Sequence, residues 1–252
     1  MNELCRHLEW DTAFFGYNIG RVNVNRLTLE SLAQIDAWCD DEQIDCLYFL
    51  ADSGDYETAW IANQNGFNYV DTRITWTLTM THAPLLSTSE QAIRLGIPSD
   101  LPALKGIART NHRDSRFYFD PVFPVERSNV LFETWIEKSL AGSLADTVLV
   151  ITENDHPIGY SAVQFTPLGG QINLIGVSPE LRGQGVGTQL LRASLFHFWD
   201  RGLPHIDVVT QGRNLRAQRL YAKQGFIPSA TSNWYHRWSS KILANHSKLL
   251  SR

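Results

Sequence analysis

The chain has 252 residues, of which 43% are apolar and 19% charged, and its net charge is −4. That length and balance build one large or two smaller domains around a proper core, and they exclude a disordered chain. The slight acidity, with a pI near 6.0, removes the general electrostatic pull toward DNA or RNA, so no nucleic-acid partner is expected.

The opening Met1–Trp10 reads MNELCRHLEW. It lacks the apolar stretch of about 7–15 residues that a secretory signal carries, and no run approaches the roughly 18 apolar residues of a membrane span. A cytoplasmic protein away from membranes is therefore expected. The cysteines, Cys5, Cys39 and Cys46, are odd in number and form no CxxC pair, which reads as free thiols in a reducing compartment. A helical pattern covers Leu29–Cys39, Leu47–Leu50 is an apolar run, and Gly66-Phe67 closes a helix-like stretch. The polar, Pro-containing Thr79–Ser89 reads as a linker.

After it, strands and helices alternate. Gln91–Pro98 predicts a strand, and Ser99-Asp100 caps a helix over Leu101–Asn111. A second helix covers Phe123–Leu140, with inward positions at Val130, Leu131, Thr134, Trp135 and Ile136. Asp146–Thr152 and Ile158–Phe165 are strands joined by the turn Glu153–Pro157. Gln171–Val177 is a mostly apolar strand, as expected where both sheet faces are covered. Ile206–Thr210 is the next strand, Leu215–Gln224 a helix and Asn233–Trp238 a closing strand; the tail 239–252 matches no pattern.

An internal echo links the two parts. Gly66-Phe67 and Gly225-Phe226 lie 159 residues apart, and at that offset Leu47–Leu50 falls on Ile206–Val209. The first part reads as a truncated copy of the later half of the second. It has Ala62 against Tyr221 and Asp55 against Asn214, and no Gly-rich loop, so it reads as scaffold. The division expected is 1–82, a smaller α/β unit; 83–90, a linker; 91–238, the working domain; and 239–252, the tail.

The chemistry concentrates in Leu174–Leu191, LIGVSPELRGQGVGTQLL. A strand runs into Arg182-Gly183-Gln184-Gly185-Val186-Gly187, and a helix follows whose inward stripe is Leu190, Leu191, Ser194, Leu195 and Phe198. Glycines at alternate positions let successive backbone N–H groups point at one anion, and the helix start adds unpaired donors. Such a loop suits a pyrophosphate, with Arg182 and the Thr188 hydroxyl as supplements. A Walker A loop needs Gly-Lys-Ser/Thr, and a dinucleotide fold needs a third glycine placed elsewhere. A tight packing turn remains the bland alternative.

Together with Gln211–Phe226, QGRNLRAQRLYAKQGF, this loop resembles the Gcn5-related N-acetyltransferase (GNAT) superfamily. Arg182, Gly185 and Gly187 match its phosphate signature, and Asn214, Ala217, Leu220-Tyr221 and Gly225-Phe226 match the following pattern. The resemblance covers about 91–238. It implies an α/β mixed-sheet acyl-CoA N-acyltransferase fold, with a truncated GNAT-like unit before it and acetyl-CoA as cofactor. The implied cofactor contacts are Ile175, Gly176 and Val177 with pantetheine, residues 182–188 with the diphosphate, and Asn214 and Ala217 on one helix face. Tyr221 is implied as the general acid toward the leaving sulfur, and the N–H of Val177 as one donor to the thioester carbonyl. Many relatives carry a Glu on the strand before the loop; Asn173 and Leu174 stand there, so no base is assigned.

The acceptor segment is Asn111–Pro124, NHRDSRFYFDPVFP. Ser115-Arg116-Phe117, the downstream Trp135–Glu137 and the N-terminal LEWDTAFFG resemble the TDP-fucosamine acetyltransferases. That implies a small-molecule amine, a TDP-amino sugar for surface polysaccharide. Arg113 and Arg116 suit a diphosphate, Phe117 and Tyr118 suit stacking, and Asp114 or Asp120 suit hydroxyls. A charged connecting surface with core aromatics explains the same run. Rival functions are acetylation of a peptide, lysine or polyamine amine, and a non-catalytic acyl-CoA-binding module. The histidines have no metal spacing, and a homodimer is compatible with the sequence.

Overall fold

The computed structural model describes residues 4–84 and 92–250. Its first half holds β1 (Cys5–His7), α1 (Glu9–Phe15), β2 (Ile19–Val22), α2 (Leu29–Asp41), β3 (Cys46–Asp52), α3 (Tyr56–Gln64) and β4 (Asn68–Thr79). The second half begins with β5 (Ala92–Leu95), α4 (Leu101–Asn111), α5 (Arg116–Phe119), α6 (Val125–Leu140), β6 (Thr147–Glu153) and β7 (His156–Thr166). It continues through β8 (Gly169–Val177), α7 (Val186–Trp199), β9 (His205–Gln211), α8 (Leu215–Lys223), β10 (Ile227–Trp238) and α9 (Ser240–Leu250). Most of the expected linker 83–90, and Gln91 of the expected strand, lie outside the described residues.

Local chemistry sets the element ends. Thr28 opens α2 with its hydroxyl on the Ser31 N–H, Asp55 caps α3 and Asn214 caps α8. Asn154 and Asp155, at φ 48° and 64°, turn β6 back into β7, a conformation that these short polar residues tolerate in tight hairpins.

The ten strands of the described residues form one sheet, in the order β1-β2-β3-β10-β4-β9-β8-β7-β6-β5. Two pairs are parallel, β2 with β3 and β8 with β9; the rest are antiparallel. The halves exchange their last strand. β4 of the first half lies against β9 of the second, and β10 of the second lies against β3 of the first. β3, α3 and β4 recur as β9, α8 and β10 with identical lengths, each 159 residues later (46 to 205, 56 to 215, 68 to 227). The helix exits repeat as well, with Gly66 at φ 77° and Gly225 at φ 87°, each followed by a Phe whose N–H reaches back to the carbonyl of Ala62 or Tyr221.

Alternation along the strands separates two packed faces. On one face α4, α5 and α6 bury Leu104, Ile107, Phe117, Leu131 and Ile136 against Tyr48, Val148, Val150 and Tyr160. On the other face α7 and α8 cover Val163, Ile172, Ile206 and Val208, while Leu32, Ile35 and Ile61 of α2 and α3 cover Leu47 and Phe49.

Several expectations change in detail. The closing strand starts at Ile227, six residues before the expected Asn233, because Ile227–Thr231 pairs with β4 while its side chains stay exposed. The tail contains a helix, α9, whose Ile242 packs on the core. In α6 the buried stripe is Ser128, Leu131, Phe132, Ile136 and Ser139, at helical spacing of three and four. Val130, Thr134 and Trp135 flank that stripe half-buried. Among the described residues no helix is long and apolar enough to cross a membrane, and no His/Cys/Asp/Glu group suits a metal.

Candidate active site

The site lies where β8 and β9 part. Their parallel pairing ends at Ile172–Val208, although β8 runs on to Val177 and β9 to Gln211. The cause is local. Leu174 pairs with Ala162 and Ile172 with Val163, so Asn173 is bulged out, and a bulge bends its strand. The Asn173 side chain is engaged nearby, donating to the Leu144 carbonyl at 2.8 Å and to Gln164 at 3.2 Å.

Backbone polarity beyond the bulge follows from one hydrogen bond. The Ser178 N–H donates to the Ile158 carbonyl, so by antiparallel alternation Gly176 faces β7, while Ile175 and Val177 turn their N–H groups into the gap. Val177 is already engaged there. Its N–H donates to Asn111 Oδ1 at 3.3 Å, and Asn111 Nδ2 donates to its carbonyl at 3.0 Å. The expectation that the Val177 N–H is free for a carbonyl is corrected: the end of α4 holds it, and Ile175 is the donor that remains. Gly176 has a packing reason, since a Cβ there would lie 2.8 Å from Tyr160 Cζ.

The phosphate loop has the form the glycines suggested. Gly183 and Gly185 take φ 84° and 86°, where a side chain is strained, whereas Gly187 lies inside α7 with helical φ. Gly183, Gly185, Val186 and Gly187 find no acceptor for their N–H groups among the described residues. Four donors beside a helix start suit a diphosphate, so these residues fit the phosphates of CoA. Gln184 and Thr188 bond back to the Leu181 and Gly185 carbonyls, so their amides are spent on shape. Arg182 donates to the Thr110 carbonyl at 3.2 Å, fixing the loop to α4, and Arg216 stands close enough to depress its pKa beyond the effect of burial.

On α8 the Asn214 side chain accepts the Ala217 N–H at 3.0 Å, and Tyr221 stands two turns on. Tyr221 is 2% exposed, between Trp76 and Phe226, and burial pushes its phenol well up, so it keeps its proton. No described residue hydrogen-bonds its hydroxyl.

The acceptor residues divide. Arg113 is exposed and lies over Tyr118, whose hydroxyl donates to Asn129. Phe117 is corrected from ligand contact to core residue: it is 3% exposed and packed by Phe15, Phe123 and Trp135. Asp120 is likewise unavailable to a sugar hydroxyl. Its carboxylate accepts from His236 Nδ1 at 2.6 Å and from the Trp238 indole at 2.8 Å. Arg116 sits between the rings of Tyr48, Phe117 and Trp234 and donates to His236 Nε2 at 2.5 Å. An Nε2 that accepts from a guanidinium carries no proton, so His236 is neutral, and burial lowers its pKa to about 4. Asp114 offers its backbone carbonyl to Arg213.

Sequence reasoning missed four features. Asn111 is one. His112 is another: it shares a 2.9 Å hydrogen bond with the Tyr160 hydroxyl, and burial lowers its pKa to about 4, with Arg182 adding to the effect. Asp71 on β4 is 3% exposed with one oxygen unpartnered. Finally Arg6, Arg21, Arg73 and Arg116 crowd together, so that Arg21, already lowered by burial, is lowered further by the other three. A charged residue at alternate positions of β4 was the available signal for Asp71; for the others there was none short of the fold.

Residues 109–226 match the family described as Acetyltransferase (GNAT) family. They are a GNAT acetyltransferase domain. The chain is an acyltransferase using acetyl-CoA. Among curated proteins it is similar to a dTDP-fucosamine acetyltransferase of Escherichia coli O6:H1, 27% identical over 232 residues that cover 91% of this chain and 96% of the relative. It is also similar to the spore coat polysaccharide biosynthesis protein SpsD of Bacillus subtilis, 28% identical over 57% of this chain and 50% of that one. A mycothiol acetyltransferase of Nocardiopsis dassonvillei is 42% identical over 32% of this chain and 24% of its own length. Among solved structures, a GNAT protein of Sphaerobacter thermophilus superposes with TM-score 0.64 at 16% identity, covering 93% of this chain and 76% of that one. A tandem GNAT protein from the clavulanic acid pathway gives 0.60 at 13%, covering 88% and 76%. At those identities the structural likeness speaks for the fold alone.

Proposed function

We propose that this acetyltransferase acts in the cytoplasm on the amine of a nucleotide-linked amino-dideoxy sugar destined for surface polysaccharide, with residues 91–238 as the unit that binds acetyl-CoA and residues 1–82 carrying no second active site but lending side chains to the acceptor side. The observation that carries the acceptor reading is the arginine cluster. An acidic chain gathers Arg6, Arg73 and Arg116 near Arg21, and Arg21 and Arg116 stand over the Trp234 ring. Guanidinium groups beside an aromatic ring suit a diphosphate joined to a flat base. The likeness to the fucosamine enzyme, which runs through both halves of the chain, supports the same reading.

Bound acetyl-CoA supplies the acetyl thioester. The free amides of Gly183, Gly185, Val186 and Gly187 would hold its diphosphate, and the Ile175 N–H, which faces the gap between β8 and β9, would polarise the thioester carbonyl. In comparable sites one such donor contributes about 2.7–4 kcal/mol. Tyr221, protonated because it is buried, would supply the proton that the leaving sulfur takes as the amine bonds to the carbonyl carbon. Tyr221→Phe is expected to lower kcat by roughly 10²-fold or more with CoA binding intact; calorimetry with CoA beside a thiol-release assay measures both. The acceptor is tested in that assay with a TDP-linked 4-amino-4,6-dideoxyhexose, spermidine and a lysine peptide. A preference for spermidine or peptide overturns the sugar-nucleotide reading and leaves the acetyltransferase in place.

A further inference from the structure

We infer that Asp71, supplied by the exchanged strand β4, receives the ammonium of the acceptor and takes its proton before the amine attacks. This rests on the acceptor of the preceding section being an amine, whatever carries it. Position comes first. β4 pairs with β9 up to Arg73–Gln211, and the Gly212 N–H then donates to the Thr72 carbonyl at 2.6 Å. Asp71 therefore lies just beyond the carboxyl end of β9, the end at which open α/β sheets bind their ligands.

The carboxyl is 3% exposed, and its Oδ1 has no hydrogen-bond partner. Leaving such an atom unsatisfied costs about 1–3 kcal/mol, and native structures keep few of them. A cation is present and yet does not satisfy it. Arg213 stands 3.8 Å from Oδ1, but it donates to the Val70 carbonyl at 2.6 Å and the Asp114 carbonyl at 3.4 Å. The backbone around the carboxyl thus fixes Arg213 just out of reach, and one oxygen keeps its lone pairs for a donor from outside. An ammonium supplies that donor.

The groups facing Asp71 are few. Arg213 comes from the turn before α8, Arg116 from α5 and Asp114 from the turn before it, while β10 places Trp234 opposite. Burial outweighs the two arginines and lifts the carboxyl to about 6, with Asp114 adding to the rise. A group that titrates there is a carboxylate at neutral pH and returns a captured proton to water readily. The transfer balances. One ammonium proton passes to the carboxylate, and the nitrogen lone pair forms the N–C bond as the C–S bond breaks. The sulfur takes the Tyr221 proton, the new amide nitrogen sheds its second proton to restore the phenol, and Asp71 releases its own to solvent.

The test uses the full chain with acetyl-CoA and each of the three amines named above. For whichever amine turns over, kcat/KM in the wild type falls below pH 6. Asp71→Asn is expected to lose that acid limb and at least 10²-fold in kcat, with the affinity for CoA unchanged by calorimetry. Asp71→Glu is expected to restore the limb. A wild-type-like pH profile in Asp71→Asn overturns the proposal, whereas turnover of spermidine alone overturns only the sugar-nucleotide reading. A second readout needs no turnover: in chain carrying ¹³C-carboxyl aspartate, the resonance missing from Asp71→Asn should titrate near pH 6. A midpoint below 4.5 also overturns the proposal.

Discussion

Gly176 shows how narrow the tolerances are at the parting of the strands. Any side chain there meets the Tyr160 ring, and Tyr160 in turn holds His112 by its hydroxyl. Gly176→Ala is expected to cost about 1–3 kcal/mol of stability through overpacking, read from urea unfolding. His236 sets a pH dependence at the same scale. Its folded pKa of about 4 lies below the ordinary value of 6.5, so in acid the unfolded chain binds a proton that the folded chain refuses. Stability is complete above pH 6.5 and declines toward pH 4, by about 2–3 kcal/mol between pH 7 and 4.5. Denaturant titrations at those two values measure it, and His236→Asn should remove this share of the difference while leaving the similar share that buried His112 contributes. Legibility at this scale followed chain distance. The loop 182–188 and Tyr221 sit in short runs whose residue types state their chemistry. Asn111, His112 and Asp71 carry ordinary side chains that become informative only when a fold brings Val177, Tyr160 and Arg213 beside them.

Between elements, one side chain adds hydrogen bonds to the packing of α4 on β8. Asn111 satisfies both backbone groups of Val177. Asn111→Ala removes three hydrogen bonds, two to Val177 and one to the Ile107 carbonyl, and is expected to lower stability by about 1–3 kcal/mol and to speed amide exchange at Val177. Proton exchange followed by NMR reads that position directly. Element bounds were legible where periodicity was strong: the expected helix Leu101–Asn111 coincides with α4, and α8 differs from its expected end by one residue. The sequence shows only the second half of β10 because Ile227–Thr231 pairs with β4 alone and leaves its side chains exposed. Hydrophobic alternation reports burial, and that stretch has backbone pairing without burial.

For the whole molecule the exchange of β4 and β10 decides which pieces can exist. A fragment of residues 92–252 leaves β9 without its β4 partner and β10 without both neighbours, exposing long unpaired edges. Expressed alone it is expected to aggregate, and co-expression with residues 1–84 should restore soluble, CoA-binding protein; sedimentation and calorimetry decide the point. The 159-residue echo in the sequence marked which segments correspond, from a few apolar positions and two Gly-Phe pairs. It carried no sign that the corresponding strands trade places, since pairing partners leave no trace in a single chain's periodicity.

The trade has a further effect on how the two halves can diverge. A half-unit that finishes its neighbour's sheet must keep its strand, yet it is released from binding a cofactor itself, as the glycine-free link between β2 and α2 illustrates. Its residues at that seam answer to the other half's reaction. Changes of acceptor are thus open to substitutions in the first 80 residues while the thioester machinery stays untouched.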